Sequence, residues 1–174
     1  MTAPVWLPSA TPSPPNVPRA LAILRCSLAM KDDDPSVVYL VREEGSGFRY
    51  DAGSDRWGSI TPMPVDPTPA SAAPGTGTRS WVDTQGWYDL ALAVDPGNVD
   101  RIALGGSTVM ALDDQVVAVG TAGANWYSAI WTGTLTANGS NWTLASTYIG
   151  ARAHADVHRL VFTPGDGSQL WSGN

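Results

Sequence analysis

Asp89 to Gly106, DLALAVDPGNVDRIALGG, narrows the possible folds of this chain more than any other stretch. Leu90, Leu92 and Val94 alternate with Ala91 and Ala93, the period-2 pattern of a strand with small residues on one side. Asp95-Pro96-Gly97-Asn98 is tight-turn chemistry, and Ile102 and Leu104 resume the alternation before Gly105-Gly106. The same unit recurs. Arg159 to Asn174 aligns on it without a gap at an offset of 68 residues, from Leu92 to Leu160. Phe162 falls on Val94, Pro164 on Pro96, Gly165 on Gly97, Asp166 on Asn98, Leu170 on Ile102 and Gly173 on Gly105. Ser27 to Val41 fits at an offset of 64, from Leu28 to Leu92, with Met30 on Val94, Asp34 on Asn98, Val38 on Ile102 and Leu40 on Leu104. Its proline lies later, at Pro35, which makes it the looser copy.

Recurrent hairpins at this spacing predict sheets arranged in series. The expected fold is all-β: an incomplete β-propeller of about two to three blades, each an antiparallel four-stranded sheet, with the hairpin as the inner half of each blade. Residues 1–20 are proline-rich and read as a lead-in linker or as the end of a preceding blade. Residues 21–64 form one blade, 65–80 a loop or linker low in large apolar groups, 81–150 the best-defined blade, and 151–174 the start of a further one. Within 81–150, Val116–Val119 reads as a short strand, and Asn138-Gly139 joins two strands as a hairpin turn. Asn138-Gly139-Ser140 and Asn141-Trp142-Thr143 fit the glycosylation pattern and are read as turn chemistry. A closed ring takes typically four to eight blades. The chain is therefore expected to be an interior piece of a longer propeller or to complete a ring with other chains. Incomplete blade edges invite self-association.

Composition sets limits on partners. A net charge of −6 leaves no basic face for nucleic acid. The lone Cys26 excludes an internal disulfide, and it is expected to be buried packing. No apolar run is long enough for a membrane span, and Met1 is followed by nothing like a signal peptide.

Chemistry concentrates in His154-Ala155-Asp156-Val157-His158, which holds both histidines of the chain. On a strand, His154, Asp156 and His158 would share a face and offer a ligand set for a divalent metal. Same-face neighbours on a strand lie about 6.5–7 Å apart, a poor fit to one ion, so a polar row lining a channel is the competing reading. Glu43 and Glu44 read as solvated charges in a turn.

Several motifs resemble the bacterial neuraminidase-repeat propellers, the sialidase-like and sortilin-like group. Asp51, Gly53 and Trp57 look like a decayed Asp box, with the tryptophan one residue late. Gly86-Trp87-Tyr88-Asp89-Leu90 followed by Ala-Val-Asp-Pro, and His154-Ala155-Asp156-Val157-His158 followed by Leu-Val-Phe-Thr-Pro and Trp-Ser-Gly-Asn, look like that family's repeats. The resemblance covers residues 21–174 and implies an extracellular or cell-envelope protein. It implies a glycosidase-like propeller segment that contacts carbohydrate, with Trp87 and Tyr88 near the channel mouth. The alternatives are a non-catalytic, sortilin-like propeller with a protein ligand, and a metal-stabilised structural repeat.

If the chain is an enzyme, glycoside hydrolysis needs two carboxylates about 5–9.5 Å apart. Asp89 and Asp156 are the catalytic candidates, although the 68-residue offset places Asp89 on residue 157, one position from Asp156. The sialidase arginine cluster cannot be assembled from this sequence, and its Arg-Ile-Pro is absent.

Overall fold

The computed structural model describes residues 25–65, 80–82, 85–110, 126–150 and 153–174. Among them all regular structure is strand, and no helix is long and apolar enough to cross a membrane. The proline-rich start, the body of the 65–80 loop and Val116–Val119 lie outside the described residues. The loop's ends are tied by an antiparallel bridge between Val65 and Ser80.

Among the described residues, ten strands form two antiparallel meanders and a hairpin. The first meander is β1 (Cys26–Lys31), β2 (Asp34–Arg42), β3 (Gly47–Asp51) and β4 (Arg56–Thr61). The second is β5 (Ala91–Asp95), β6 (Asn98–Met110), β7 (Trp126–Asn138) and β8 (Asn141–Tyr148). The hairpin is β9 (Arg159–Thr163) with β10 (Asp166–Gly173). A short parallel pairing of β4 with β8, Ile60 opposite Trp142 and Thr61 opposite Thr143, joins the meanders into one eight-stranded sheet. The two ends of that sheet, β1 and β5, lie against each other, so it nearly closes on itself. β9 lies against β5 on its other side.

Three turns share one register. Lys31 pairs with Asp34, Asp95 with Asn98, and Thr163 with Asp166, each closing a two-residue turn. The next pairs are Met30 with Val38, Val94 with Ile102, and Phe162 with Leu170, so residues 35–37, 99–101 and 167–169 bulge out of the ladder. A side-chain cap holds each bulge. Asp34 accepts from Ser36 N at 3.0 Å, Asn98 from Asp100 N at 3.0 Å, and Asp166 from Ser168 N at 2.9 Å. Pro35 falls inside its bulge, where the ladder asks for no amide proton, so the displaced proline costs no pairing.

The alternation of large and small residues becomes a stack of layers. Leu90, Leu92, Ile102, Leu104 and Trp131 of the second meander share one core with Val37, Tyr39, Val41 and Ile60 of the first. Ala91, Ala93 and Ala103, on the opposite face, share a second core with Val157, Leu160 and Phe162. The small face admits the bulky hairpin: a Cβ on Gly105 would come within 2.6 Å of Val157. Polar clamps cross both contacts. Arg49, buried, donates to Tyr39 Oη at 3.0 Å, pairs with Asp100, and lies over the Trp142 ring at 3.7 Å. Arg101 donates to Asp95 Oδ2 at 2.8 Å and to Gly167 O at 2.7 Å.

Local expectations are refined in three places. The β7–β8 turn is Gly139-Ser140, closed by Asn138 opposite Asn141, so the positive φ of 61° falls on Gly139 and not on Asn138. At the Asp-box-like turn, Asp51 Oδ1 accepts from Gly53 N at 2.8 Å. The left-handed residue there is Asp55 (φ 49°), which accepts from Tyr50 Oη at 2.8 Å, and Trp57 packs on Tyr50. Cys26 is exposed, contrary to the expectation of buried packing, because it opens β1 at the edge of the first meander.

Candidate functional site

The side-by-side placement of β1, β5 and β9 brings together the segments that lead into them. Arg25 precedes β1, Trp87-Tyr88-Asp89 precedes β5, and Asp156-Val157-His158 precedes β9. Arg25 Nη1 donates to Trp87 O at 3.0 Å and also to Tyr88 O. A turn in which Tyr88 N and Asp89 N both donate to Gln85 O, at 2.7 and 2.8 Å, shapes the segment from within. Asp156 N donates to Ser107 O at 2.9 Å and Val157 N to Gly106 O at 3.1 Å, which anchors the third segment on β6.

Asp89 is the centre of this cluster. Its carboxylate is 0 % exposed, and its Oδ1 lies 3.3 Å from His158 Nδ1. No donor among the described residues sits on either oxygen in good hydrogen-bonding geometry. Burial pushes its pKa above the usual carboxylate range, the Asp156 charge raises it further, and His158 and Ser107 pull it down in part. Ser107, also buried, donates to Asp156 Oδ1 at 3.5 Å. Asp156 adopts a φ of 69°, a left-handed conformation uncommon outside glycine, asparagine and aspartate. The Tyr88 ring meets the His158 ring edge to face at 4.7 Å, and Trp87 packs beside Tyr88 at 5.6 Å. Trp87 and Tyr88 are 64 % and 47 % exposed. The arrangement is a buried carboxyl group roofed by a half-exposed imidazole and flanked by two aromatic faces open to solvent.

Asp89, Asp156, Trp87, Tyr88 and His158 are thus brought to one place, and His154 is not. Residues 154–158 are not a strand, so the premise that His154, Asp156 and His158 share a strand face does not hold. His154 is exposed, with Nδ1 2.9 Å from Ala155 O. Among the described residues no group of three or more His, Cys, Asp or Glu is placed to hold a metal ion. Sequence reasoning missed Arg25 and Ser107. The 64-residue offset that relates the first two hairpins carries Arg25 onto Asp89, a signal available for the first. Ser107 directly follows Gly105-Gly106, and nothing in the sequence marks it.

No protein-family model matches the chain, and neither does a curated protein or a solved structure.

Proposed function

We propose that the chain is a segment of a sialidase-like propeller that contacts carbohydrate where Trp87, Tyr88, Asp89, Asp156 and His158 converge. The observation that carries this reading is the exposed Trp87–Tyr88 pair beside a wholly buried Asp89. Aromatic faces offer flat apolar platforms, and a few polar groups beside them give orientation, the usual build of a small-molecule site. A buried carboxyl group with a raised pKa holds a proton at higher pH than an exposed one, which suits a general acid. Asp156, half-buried, is its counterpart.

The propeller reading draws support from the shared register of the three hairpins and from their order, β1 beside β5 beside β9. Matched positions, Met30 with Val94 and Phe162, and Asp32 with Pro96 and Pro164, line one cleft of about 210 Å³ between the three strands. In this reading that cleft is the central channel, each hairpin the inner half of a blade, and β4 and β8 are outer strands. An extracellular or cell-envelope location follows from the family reading alone.

A glycan array probed with the folded chain tests the assignment. Binding that falls at least tenfold in the Trp87→Ala/Tyr88→Ala variant is expected. Absence of any glycan binding would overturn it in favour of a protein-binding propeller. Should a bound glycan be cleaved, Asp89→Asn is expected to slow cleavage about 100-fold or more while binding persists.

A further inference from the structure

The cluster around Asp89 is rich in hydrogen-bond acceptors and short of donors. Asp89 and Asp156 lie close enough for the charge of one to raise the pKa of the other. Facing them are the Ser107 hydroxyl, 3.5 Å from Asp156 Oδ1, and the His158 imidazole, 3.3 Å from Asp89 Oδ1. Neither Asp89 oxygen has a donor in good geometry among the described residues, although both are shut off from water. An ionised carboxylate only accepts, and leaving a buried one without donors is costly. Such a cluster favours a ligand that brings donors over one that brings acceptors. Asp156, the partly open carboxylate, is the one a ligand meets, and Asp89 adds negative potential beneath the half-exposed His158 ring.

The charges point the same way. With one proton held between Asp89 and His158 that pair is neutral, and the Asp156 charge is left over. Without the proton the cluster is more negative still. The arginine of the cluster, Arg25, is taken up by the Trp87 and Tyr88 carbonyls. Arg159 follows His158 directly, but it alternates with buried Leu160 and lies on the exposed face of β9, opposite Gly173. A further carboxylate, Glu43, sits against Gly86 just before the aromatic pair, and its Oε2 accepts from Arg25 N at 2.8 Å. Trp87 and Tyr88 offer exposed rings beside these carboxylates, and the faces of such rings attract cations.

We propose that the site takes a cationic sugar, a glycan with a free, protonated amine, whose ammonium group meets Asp156 while its ring lies on Trp87 or Tyr88. This inference rests on the carbohydrate reading above and names the class of sugar within it. An ammonium group brings donors without acceptors, it offsets the repulsion between Asp89 and Asp156, and it is drawn to the aromatic faces. A neutral sugar offers donors but no charge. A carboxylated sugar brings acceptors and a like charge to the same place.

Titration calorimetry on the full chain tests it, with a glucosamine oligomer, its N-acetylated form of equal length and a sialylated trisaccharide, at a pH where the amine is protonated. Acetylation removes the charge and keeps the ring. The free amine is expected to bind about tenfold or more tighter than the acetylated form, and the sialylated sugar weakest. Asp156→Asn is expected to abolish that preference while the acetylated form still binds. Asparagine tolerates the left-handed backbone at this position and can still accept from Ser107, so the fold is kept. Asp33→Asn removes an exposed carboxylate at the other end of β1 from Arg25 and is expected to change nothing. An equal loss in both variants would mean attraction by net charge alone and would overturn the proposal. So would equal affinity for the free and acetylated amines, or a preference for the sialylated sugar. If the acetylated form binds, loses its binding in Trp87→Ala/Tyr88→Ala and is matched by the free amine, this inference falls and the carbohydrate reading stands. If none of the three sugars binds, both fall.

Discussion

At the scale of single residues, Asp89 sets the terms. Its folded pKa is raised above the unfolded value, so the folded state holds a proton that the unfolded state releases first. The group's unfavourable contribution is absent below the ordinary aspartate range and grows as pH rises from there to the folded value. Asp89→Asn keeps the shape without the charge. It is expected to stabilise the chain at pH 7 and to flatten the stability–pH profile in that window, read by urea unfolding. His158→Ala, in contrast, leaves the carboxylate without the imidazole at 3.3 Å and is expected to destabilise. A double-mutant cycle of the two is expected to show coupling of about 0.5–3 kcal/mol. Additive effects would mean that the two groups do not interact. Arg49 makes the opposite case. Arg49→Ala removes a ring contact and an ion pair between the meanders and a hydrogen bond within the first, and is expected to cost about 3 kcal/mol. Arg49→Met keeps the packing and is expected to cost less, since Asp100, 44 % exposed, stays solvated without the guanidinium.

At the scale of elements, turn chemistry and close packing place different demands on glycine. A Cβ on Gly106 would lie 2.3 Å from Trp81 O, a backbone atom that cannot step aside, whereas a Cβ on Gly139 meets nothing within 4 Å. Gly106→Ala is therefore expected to cost more than 2 kcal/mol, and Gly139→Ala only the roughly 1 kcal/mol of its left-handed backbone. Equal melting temperatures for the two variants would contradict this. The bulge caps add a pH signature. Hydrogen bonds from Ser36 and Ser168 hold the Asp34 and Asp166 carboxyls below their usual range. Their contribution is present above the ordinary aspartate pKa and is lost as pH falls through the lowered folded values. These turns were legible in the sequence because every residue that makes them is local. The alternation of Leu92 and Val94 with Ala91 and Ala93 gave the strand and its two faces. The Asn138-Gly139 turn was placed one residue early, because sequence names the left-handed glycine but not the pair that closes the loop. Which strands would become neighbours was not legible. The β4–β8 pairing and the Arg49 clamp join residues roughly 50 to 90 positions apart, and no local pattern encodes them. The site was half legible. The sequence marks Trp87, Tyr88, Asp89, Asp156 and His158, but it sets His154 beside Asp156 and His158 only if 154–158 is a strand, and the left-handed Asp156 breaks one.

At the scale of the molecule, one arrangement of layers accounts for the site. Layers stack with a bulky face of each against the layer before it. Their first strands therefore lie side by side, and the segments leading into those strands meet at a common end. There Arg25, Asp89 and His158 come together from three parts of the chain. The most direct test is urea unfolding of three alanine variants at one register position, Leu28→Ala, Leu92→Ala and Leu160→Ala. Leu92 and Leu160 are buried in successive layer contacts, so each loss is expected to cost about 2–5 kcal/mol. Leu28, 60 % exposed, is expected to cost less than about 1 kcal/mol. Three equal losses, or a large loss at Leu28 alone, would contradict the stacking order and the site built on it.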